Sequence, residues 1–461
     1  MQRKTHHVLV IGAGASGVLM TAHLLQHRDP QLRVTLVERS PELGAGIAYG
    51  TSHPDHLLNV RAANMSAFPG DPDHFWRWVG EHSSADCLDS QSFAPRRLYR
   101  DYLADLLAPH LVQKPGSKRL TILHDQVFGL QETPEGLIAG LAFSEPIKAD
   151  IAILATGNEG PKLQPTPWRY DGWFDAGPAA VPPDAQVVIV GTGLTMADRV
   201  LSLLHAGHRG SITAISRRGL RPQTHRQVDA LRLDAADIPF DAGILYLTRW
   251  LRGLVREHMA RGGDWRSCID GLRPHTQALW RSLSQEARLG FLRHARAWWD
   301  IHRHRMAPAA AARIETALAS GQLRIVAGRV SRFDSDPRGD GVTVRYVTRT
   351  GSAEQSLHAK AVFECRGRAS DVTATDNPVL RKLFADGLVR SDALCLGLDV
   401  GEDCAVIRRD GRKSNRLYAV GPITSGVFWE IVAVPDIRQQ VAMLAGRLMA
   451  VEAPKVFNLT P

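Results

Sequence analysis

The stretch VLVIGAGASG, from Val8 to Gly17, decides the fold, because an apolar strand runs directly into Gly-x-Gly-x-x-Gly and then into a helix. This order is typical of a Rossmann-type dinucleotide-binding unit. Gly12 permits the tight turn, Gly14 lets the backbone approach a pyrophosphate, and Gly17 lets the helix pack closely on the strand. Glu38 ends the next predicted strand, 21 residues after Gly17, and can accept hydrogen bonds from ribose hydroxyls. An acid there excludes a 2′-phosphate, so this unit is predicted to bind FAD or NAD, not NADP.

A second stretch, VVIVGTGLTM, repeats the pattern from Val187 to Met196. Gly191 and Gly193 stand in the two positions that face phosphate, and Met196 replaces the third glycine. Because the third glycine only allows close packing of helix and strand, we interpret Met196 as a packing substitution in a working site. The internal repeat predicts two dinucleotide sites in one chain.

The end of the next strand differs between the two copies. Ser216, Arg217 and Arg218 stand where the first copy has its acid. Guanidinium groups can pair with a ribose 2′-phosphate, so this sequence favours NADPH. The alternative is that both arginines are solvated turn residues, and the choice between NADH and NADPH stays open.

The pattern along the chain predicts an α/β protein with two Rossmann-like dinucleotide-binding domains. We expect a discontinuous FAD domain at 1–165 and 326–461, with an NAD(P) domain at 184–325 inserted between its parts. A helical insertion is expected at about 229–321, and it is Trp-rich, with five of the ten tryptophans of the chain. We interpret these as helix-packing aromatics in preference to the lining of a ligand channel. The five are Trp250, Trp265, Trp280, Trp298 and Trp299.

Composition and charge exclude several classes of protein. The five cysteines are Cys87, Cys268, Cys365, Cys395 and Cys404, and they form no CxxC pair, which argues against a dithiol reductase and a zinc cage. The net charge is +9, but the basic residues are scattered, so we expect anionic cofactors and substrates, not nucleic acid. No apolar run reaches the roughly 18 residues of a membrane span. The opening MQRKTHH leaves no room for a signal peptide, and we expect a cytoplasmic protein.

Several longer stretches carry a family resemblance, among them DHLLNVRAANMS (55–66), ILATGN (153–158), WWDIHRHRMAP (298–308) and GPITSGVFWEIVAVPDIRQQ (421–440). With these, the chain resembles bacterial FAD/NAD(P)-binding proteins related to flavin-containing and N-hydroxylating monooxygenases, a group that includes a branch associated with urate hydroxylation. The resemblance extends over nearly the whole chain. It implies FAD and NAD(P)H as cofactors.

The resemblance also implies which residues contact FAD. The set consists of the first glycine loop, its acid, the segment after the second strand, and two later turns: Gly12, Gly14, Ser16, Gly17, Glu38, Asn59, Met65, Ser66, Thr156, Gly157, Gly421 and Pro422. For Trp429 and Glu430, flavin contact and packing at a domain seam stay equally open. The nicotinamide cofactor is assigned to Gly191, Gly193, Arg217 and Arg218.

The resemblance favours a monooxygenase that uses O2 through a C4a-hydroperoxyflavin to hydroxylate a small anion, with urate, converted to 5-hydroxyisourate in purine catabolism, as the leading substrate. Cationic side chains are the candidate substrate residues: Arg61, Arg97, His302, Arg303 and His304, with Arg96 and Arg305 beside them. The alternative interpretation, that this cluster is a solvated helix face or a phosphate clamp, is favoured over substrate binding. An N-hydroxylase of an amino acid or amine, and a non-catalytic flavin redox sensor, remain as rival functions. The sequence nominates no general base, and the oligomeric state stays open.

Overall fold

The computed structural model describes residues 6–82, 89–111, 118–160, 162–173, 181–337, 339–367 and 371–450. The strands are β1 His6–Ile11, β2 Leu32–Glu38, β3 Leu120–His124, β4 Val127–Glu132, β5 Leu137–Leu141, β6 Ile147–Ala149, β7 Ile151–Leu154, β8 Arg169–Asp171, β9 Val187–Val190, β10 Ile212–Ser216, β11 Leu323–Ser335, β12 Val342–Thr348, β13 Glu354–Ala359, β14 Ala361–Glu364, β15 Ala405–Ile407 and β16 Lys413–Ala419. The α-helices are α1 Ala15–Gln26, α2 Gly46–Tyr49, α3 His74–His82, α4 Arg96–Asp105, α5 Leu194–His205, α6 Ile244–Ala260, α7 Trp265–Leu272, α8 Thr276–Ser282, α9 Gln285–Gly290, α10 Arg296–Arg303, α11 Pro308–Ala319, α12 Pro378–Asp386 and α13 Val434–Ala450.

The first sheet has the strand order β15-β16-β7-β1-β2-β3. Strands β3, β2, β1, β7 and β16 are parallel, and β15 pairs antiparallel at the edge. All four residues of β7 are buried, as expected for a strand covered on both faces of a parallel sheet. Helix α1 follows β1 and packs against α13. The first dinucleotide loop therefore lies at the carboxyl edge of the sheet, where α/β proteins bind ligands.

The second sheet has the strand order β13-β12-β11-β10-β9-β14-β8. Strands β8, β14, β9, β10 and the first half of β11 are parallel, and β12 and β13 extend the sheet as an antiparallel hairpin. The chain returns to the first sheet only at β15. This differs from the expected return at 326, because the strand patterns beyond that residue pair with β11 and β9 and not with the first sheet.

Helices α6 to α11 lie between β10 and β11 and form the expected helical insertion. Strands β4, β5 and β6 form a small antiparallel sheet, against which α12 packs. In the described ranges, no helix combines the length and the apolar character needed to cross a membrane. The α/β fold class with two Rossmann-like units is confirmed. Apart from the return at 326, the domain limits stay predictions, as does the cytoplasmic location.

Candidate active site

The first glycine loop has the backbone geometry that a dinucleotide needs. Gly12 has φ +98°, and a Cβ there would lie 2.6 Å from the carbonyl oxygen of Ala155. A Cβ on Gly17 would lie 1.8 Å from the carbonyl oxygen of Gly12, so only glycine lets α1 pack this closely on the loop. At Gly14 the nearest atom to a Cβ is the Cα of Gly46, at 3.6 Å. Gly12 and Gly17 thus serve the packing of the loop, and Gly14 borders open space at the N-terminus of α1, where phosphates bind.

Glu38 is positioned by backbone donors on both sides of this loop. The amide of Ala13 donates to Glu38 Oε2 at 2.6 Å, and the amide of Ser40 donates to Oε1 at 2.9 Å. Each carboxylate oxygen keeps a further lone pair. The carboxylate is therefore fixed beside the glycine loop with acceptor capacity left for two ribose hydroxyls.

The turn at Gly421 lies against the start of α1. Gly421 has φ +75°, and a Cβ there would lie 2.1 Å from Ser16 Oγ, so the two predicted residues are direct neighbours. The Gly421 amide donates to Gln440 Oε1 on α13 at 2.7 Å. Pro422 lines a shallow cleft together with Gly157, a residue with φ +70° that follows β7. The sequence-predicted turns from two distant parts of the chain are thus brought to one cleft beside the first loop.

Thr156, between β7 and Gly157, carries a buried Oγ1 that has no hydrogen-bond partner within the described ranges. A buried hydroxyl without a partner is uncommon and indicates a site that a polar ligand completes. Together with the open space at Gly14 and the spare acceptors on Glu38, this orphaned hydroxyl fits a dinucleotide cofactor.

The structure places the three predicted residues of the segment after β2 in different environments. Met65 is 1% exposed and belongs to the first hydrophobic core. Ser66 is fully buried, and its hydroxyl donates within its own loop to the carbonyl oxygen of Asp71, at 2.5 Å. Asn59 is partly exposed, and its carbonyl oxygen accepts a hydrogen bond from His225 at 2.9 Å. Asn59 thus contacts the second unit, and the carbonyl oxygen of Ser66 accepts from Arg438 of α13 at 3.0 Å.

The second loop reproduces the geometry of the first. Gly191 has φ +114°, and a Cβ there would lie 2.2 Å from the carbonyl oxygen of Cys365, the counterpart of the contact between Gly12 and Ala155. At Gly193 a Cβ would meet no atom within 4 Å, so this position also borders open space. Met196 is fully buried in the second hydrophobic core. Its side chain packs inside the unit and does not enter the space beside Gly193.

Ser216 occupies the structural position of Glu38. The amide of Gly12 donates to the residue before Glu38, and the amide of Gly191 donates to the residue before Ser216, both at 2.8 Å. The Ser216 hydroxyl hydrogen-bonds with Thr192 Oγ1 at 2.8 Å. Arg217 is exposed and Arg218 is partly exposed, and neither guanidinium has an ion-pair partner in the residues that the structure covers. The acid of the first unit is thus replaced by a neutral hydroxyl followed by two uncommitted cations.

Met196→Leu is expected to leave the second site intact. The exchange nearly conserves side-chain volume, so the free energy of unfolding should fall by less than about 1.5 kcal/mol. We expect the KM for NADPH to stay within about twofold of the wild-type value, because residue 196 faces the core. Thermal unfolding and steady-state kinetics measure the two quantities. A large rise in KM without loss of stability would contradict the packing interpretation.

The structure places the predicted substrate cations in different environments. Arg61 donates to Gln91 Oε1 at 2.8 Å, and Arg97 is exposed on α4. His302 donates through Nδ1 to the carbonyl oxygen of Trp298 at 2.7 Å, and its ring lies edge-on to Trp265. Burial, followed by the charge of Arg303, lowers the pKa of His304 to about 4, so that its imidazole is neutral at pH 7.

Arg303 is not available to bind an anion. Its Nε donates to Glu430 Oε2 at 3.0 Å, and both side chains are more than nine-tenths buried. Trp299 Nε1 donates to the other oxygen of the same carboxylate. The assignment of Arg303 as a substrate residue is therefore corrected: the carboxylate of Glu430, which lies in a distant part of the sequence, already neutralises its charge.

Trp429 and Glu430 lie at a seam between the helical insertion and the C-terminal part of the chain. Trp429 stacks on Trp280 with ring centroids 4.3 Å apart, and Trp280 Nε1 donates to the carbonyl oxygen of Gly426 at 2.8 Å. The contacts of Trp280 and Trp299 agree with the interpretation of the tryptophans as packing aromatics. Trp298 is 48% exposed and takes no part in this seam.

One further cluster joins the two units. Ligand atoms of His53, Asp55 and His205 lie within 4.8 Å of one another, a spacing that could hold a metal ion. Asp55 already forms an ion pair with Arg313 and a hydrogen bond with His205 Nδ1 at 3.2 Å. We interpret the cluster as a polar contact between the segment after β2 and helices α5 and α11.

His225, which the sequence did not single out, lies against a predicted flavin residue. Its ring nitrogen Nε2 is bonded to the Asn59 carbonyl, and burial followed by the nearby charge of Arg305 lowers its pKa to about 3. No local motif marks it, because its partners come from distant segments.

These geometries are those of two dinucleotide sites on one chain, and sequence comparison agrees for the first. Residues 9–159 match the FAD-NAD(P)-binding family. No curated protein matches the sequence. The family match confirms FAD and NAD(P)H as the predicted cofactors and supports an oxidoreductase.

Solved structures share the fold over nearly the entire chain. The ornithine N-hydroxylase of Kutzneria sp. 744, in a structure named for reduced FAD, NADP+ and L-ornithine, has a TM-score of 0.62 and 14% identity, covering 97% of this chain and 100% of that one. L-lysine 6-monooxygenase from Pseudomonas syringae has a TM-score of 0.65 and 11% identity, covering 97% and 99%. The bacillithiol disulfide reductase of Staphylococcus aureus has a TM-score of 0.58 and 12% identity, covering 98% and 100%. At these identities the likeness shows the fold.

The described cysteines can be examined for the reactivity that thiol–disulfide exchange requires. Four are described, and all are free thiols; Cys87 lies outside the described residues. Burial raises the pKa of Cys365 well above its usual range and that of Cys404 to about 12, so both are protonated at neutral pH. Because the thiolate is the reactive form, these two buried cysteines are unsuited to thiol–disulfide exchange.

Proposed function

We propose that the protein is an FAD-dependent monooxygenase that consumes NADPH and O2 and hydroxylates the amine nitrogen of a small molecule. The observation that carries the proposal is the pair of glycine loops with matching geometry. Gly14 borders open space beside an acid, and Gly193 borders open space beside two uncommitted arginines. The same fold in the ornithine and lysine hydroxylases supports the choice of an amine substrate. The buried and protonated thiols of Cys365 and Cys404 argue against a disulfide reductase that uses either of them.

When bound, the flavin would accept hydride from the nicotinamide and activate O2 for transfer of one oxygen atom. The protein would provide binding and orientation. Gly14 and the α1 N-terminus would hold the pyrophosphate, and Glu38 would hold the ribose. Thr156 and the Gly421 turn would contact the cofactor from the side of the cleft. The buried seam of Trp429 with Trp280 and of Arg303 with Glu430 would keep water from the helical side.

A second candidate is hydroxylation of a small planar anion such as urate. It is favoured by one specific observation, the arginines around His225, whose positive charges help to lower the pKa of that imidazole. Positive charge suits an anion and disfavours a simple diamine. The amine proposal therefore requires an amine substrate that also carries a negative group, as an amino acid does.

The test is a substrate panel on FAD-loaded protein. NADPH oxidation and O2 uptake are followed with ornithine, lysine and urate in parallel, and products are analysed by mass spectrometry. For the amine, NADPH, H+, O2 and R-NH2 give NADP+, H2O and R-NHOH, so one NADPH and one O2 should disappear for each hydroxylamine formed.

Catalase is the control for uncoupled turnover, because it would convert any hydrogen peroxide that is released back into water and O2 and so return part of the O2. Stimulation by urate alone, with formation of 5-hydroxyisourate, would replace the amine proposal with the second candidate. Yellow protein whose NADPH consumption no substrate raises above background would favour a redox sensor.

A further inference from the structure

Arg305 is a buried cation with unused donors. Its side chain is 3% exposed and forms an ion pair with Asp270 through Nη2. The donors Nε and Nη1 are also buried, and neither has a hydrogen-bond partner in the part of the chain that the structure describes. Leaving buried donors of a charged group unsatisfied is costly, so this arrangement indicates a place where an acceptor binds.

The surroundings of Arg305 favour an anionic acceptor. Met306, the next residue, pairs with the segment Gln223–His225 through backbone hydrogen bonds of 2.8 and 2.9 Å. Burial is the first cause of the low pKa of His225, about 3, and the charges of Arg305, Arg61 and Arg266 contribute to it. His225 is therefore neutral at pH 7 and neither adds to nor offsets the positive charge of these arginines.

The nearby acids do not neutralise this cluster. Asp270 pairs with Arg305, and Asp264 pairs with Arg266 at 3.1 Å. Arg61 donates to the neutral amide of Gln91. Three guanidinium groups therefore share two carboxylates, and an added carboxylate would balance the charge.

The cluster also lies next to the segment that the sequence assigns to the flavin. His225 Nε2 is 2.9 Å from the carbonyl oxygen of Asn59. Since a carbonyl only accepts, the neutral imidazole donates there through Nε2 and leaves Nδ1 as an acceptor. Arg305 is thus connected, through the neighbouring Met306 and then His225, to Asn59, a predicted flavin residue.

We propose that Arg305, assisted by Arg61, binds the carboxylate of the substrate, so that the enzyme accepts an amino acid and rejects the corresponding amine that lacks a carboxylate. This inference names the substrate class and rests on the proposed function. Arg305 acts as a binding residue through Nε–H and Nη1–H, and Asp270 holds its guanidinium in place.

The first experiment measures anion binding without turnover. Carboxyl-13C acetate is titrated by NMR into the FAD-loaded protein, with acetamide as the neutral probe of similar shape. The test variant is Arg305→Gln with Asp270→Asn, which removes the cation together with its ion-pair partner. The matched control is Arg252→Gln on the exposed face of α6. FAD content and thermal unfolding establish that each variant is folded.

We expect the Kd for acetate to rise at least tenfold in the double variant and to stay unchanged in the control, with no acetamide binding at the site. If the double variant is unstable, Arg305→Lys takes its place. This variant keeps the charge and should retain part of the affinity for acetate. Equal binding of acetate and acetamide, or unchanged acetate binding without Arg305, would overturn the proposal and indicate that water alone satisfies the buried donors.

The second experiment compares ornithine with putrescine, which has the same amine and no carboxylate. The wild type should have a KM for ornithine at least tenfold below that for putrescine, and the double variant should lose this difference mainly through KM and not through kcat. If no amine stimulates NADPH oxidation, the proposed function fails, while the acetate titration still decides whether Arg305 binds an anion. Stimulation by urate that also requires Arg305 would assign the same subsite to a ring anion and reject the amino-acid specificity.

Discussion

Gly14→Leu is expected to give a folded but colourless protein that retains less than about a tenth of the wild-type FAD, because the side chain fills the space of the pyrophosphate. The fold should tolerate the change. Gly14 has φ −66° and ψ −177°, which any residue adopts, and a Cβ there meets only the Cα of Gly46 at 3.6 Å. The ratio of absorbance at 450 nm to that at 280 nm, before and after incubation with FAD, measures the loss, and circular dichroism reports folding.

The matched control is Gly193→Leu in the second loop. Gly193 has φ −83° and ψ −164°, and a Cβ there meets nothing within 4 Å, so this variant should fold equally well. It should keep its flavin and lose reduction by NADPH. If Gly14→Leu stays yellow while Gly193→Leu loses its flavin, the assignment of FAD to the first loop and of the nicotinamide cofactor to the second would be reversed.

Most of the fold could be predicted because its signals are local. The buried strands β1, β7 and β9 are continuous apolar runs, and the two glycine loops follow β1 and β9 directly. The return to the first sheet was predicted too early because β11 changes partners within its 13 residues. Its first half pairs with β10 and its second half with β12, and an apolar pattern does not reveal which strand lies beside it.

The site was predictable only where backbone conformation determines the residue type. Gly12 and Gly191 each approach a backbone carbonyl so closely that only glycine fits, and for this reason both positions belong to the glycine motif. The role of Arg303 depends on Glu430, 127 residues away, and that of His225 depends on Asn59, 166 residues away. A basic run such as HRHR gives the charges but not their partners, so a buried ion pair and a cation with unused donors look alike in sequence.

Replacing Arg217 and Arg218 together by alanine should raise the KM for NADPH by about 10- to 100-fold and leave that for NADH within about twofold, because their hydrogen bonds to a charged 2′-phosphate should together contribute about 1.5–3 kcal/mol. The residue at the end of β10 also favours NADPH over NADH. Ser216 stands where Glu38 stands in the first unit, so no carboxylate repels a 2′-phosphate there. Steady-state kinetics with both nicotinamide cofactors at saturating O2 measures the ratio.

Arg221→Ala is the matched control for this double variant. Arg221 lies three residues beyond Arg218 but is committed to an ion pair with Glu315, so its loss should not change the ratio of the two KM values. Ser216→Glu provides the converse test, because it restores the acid of the first unit. It should weaken the binding of NADPH, because the new carboxylate repels the 2′-phosphate, and leave the binding of NADH unchanged. An equal change for both cofactors in the double variant would mean that Arg217 and Arg218 are solvated turn residues and that the second site does not distinguish NADPH from NADH.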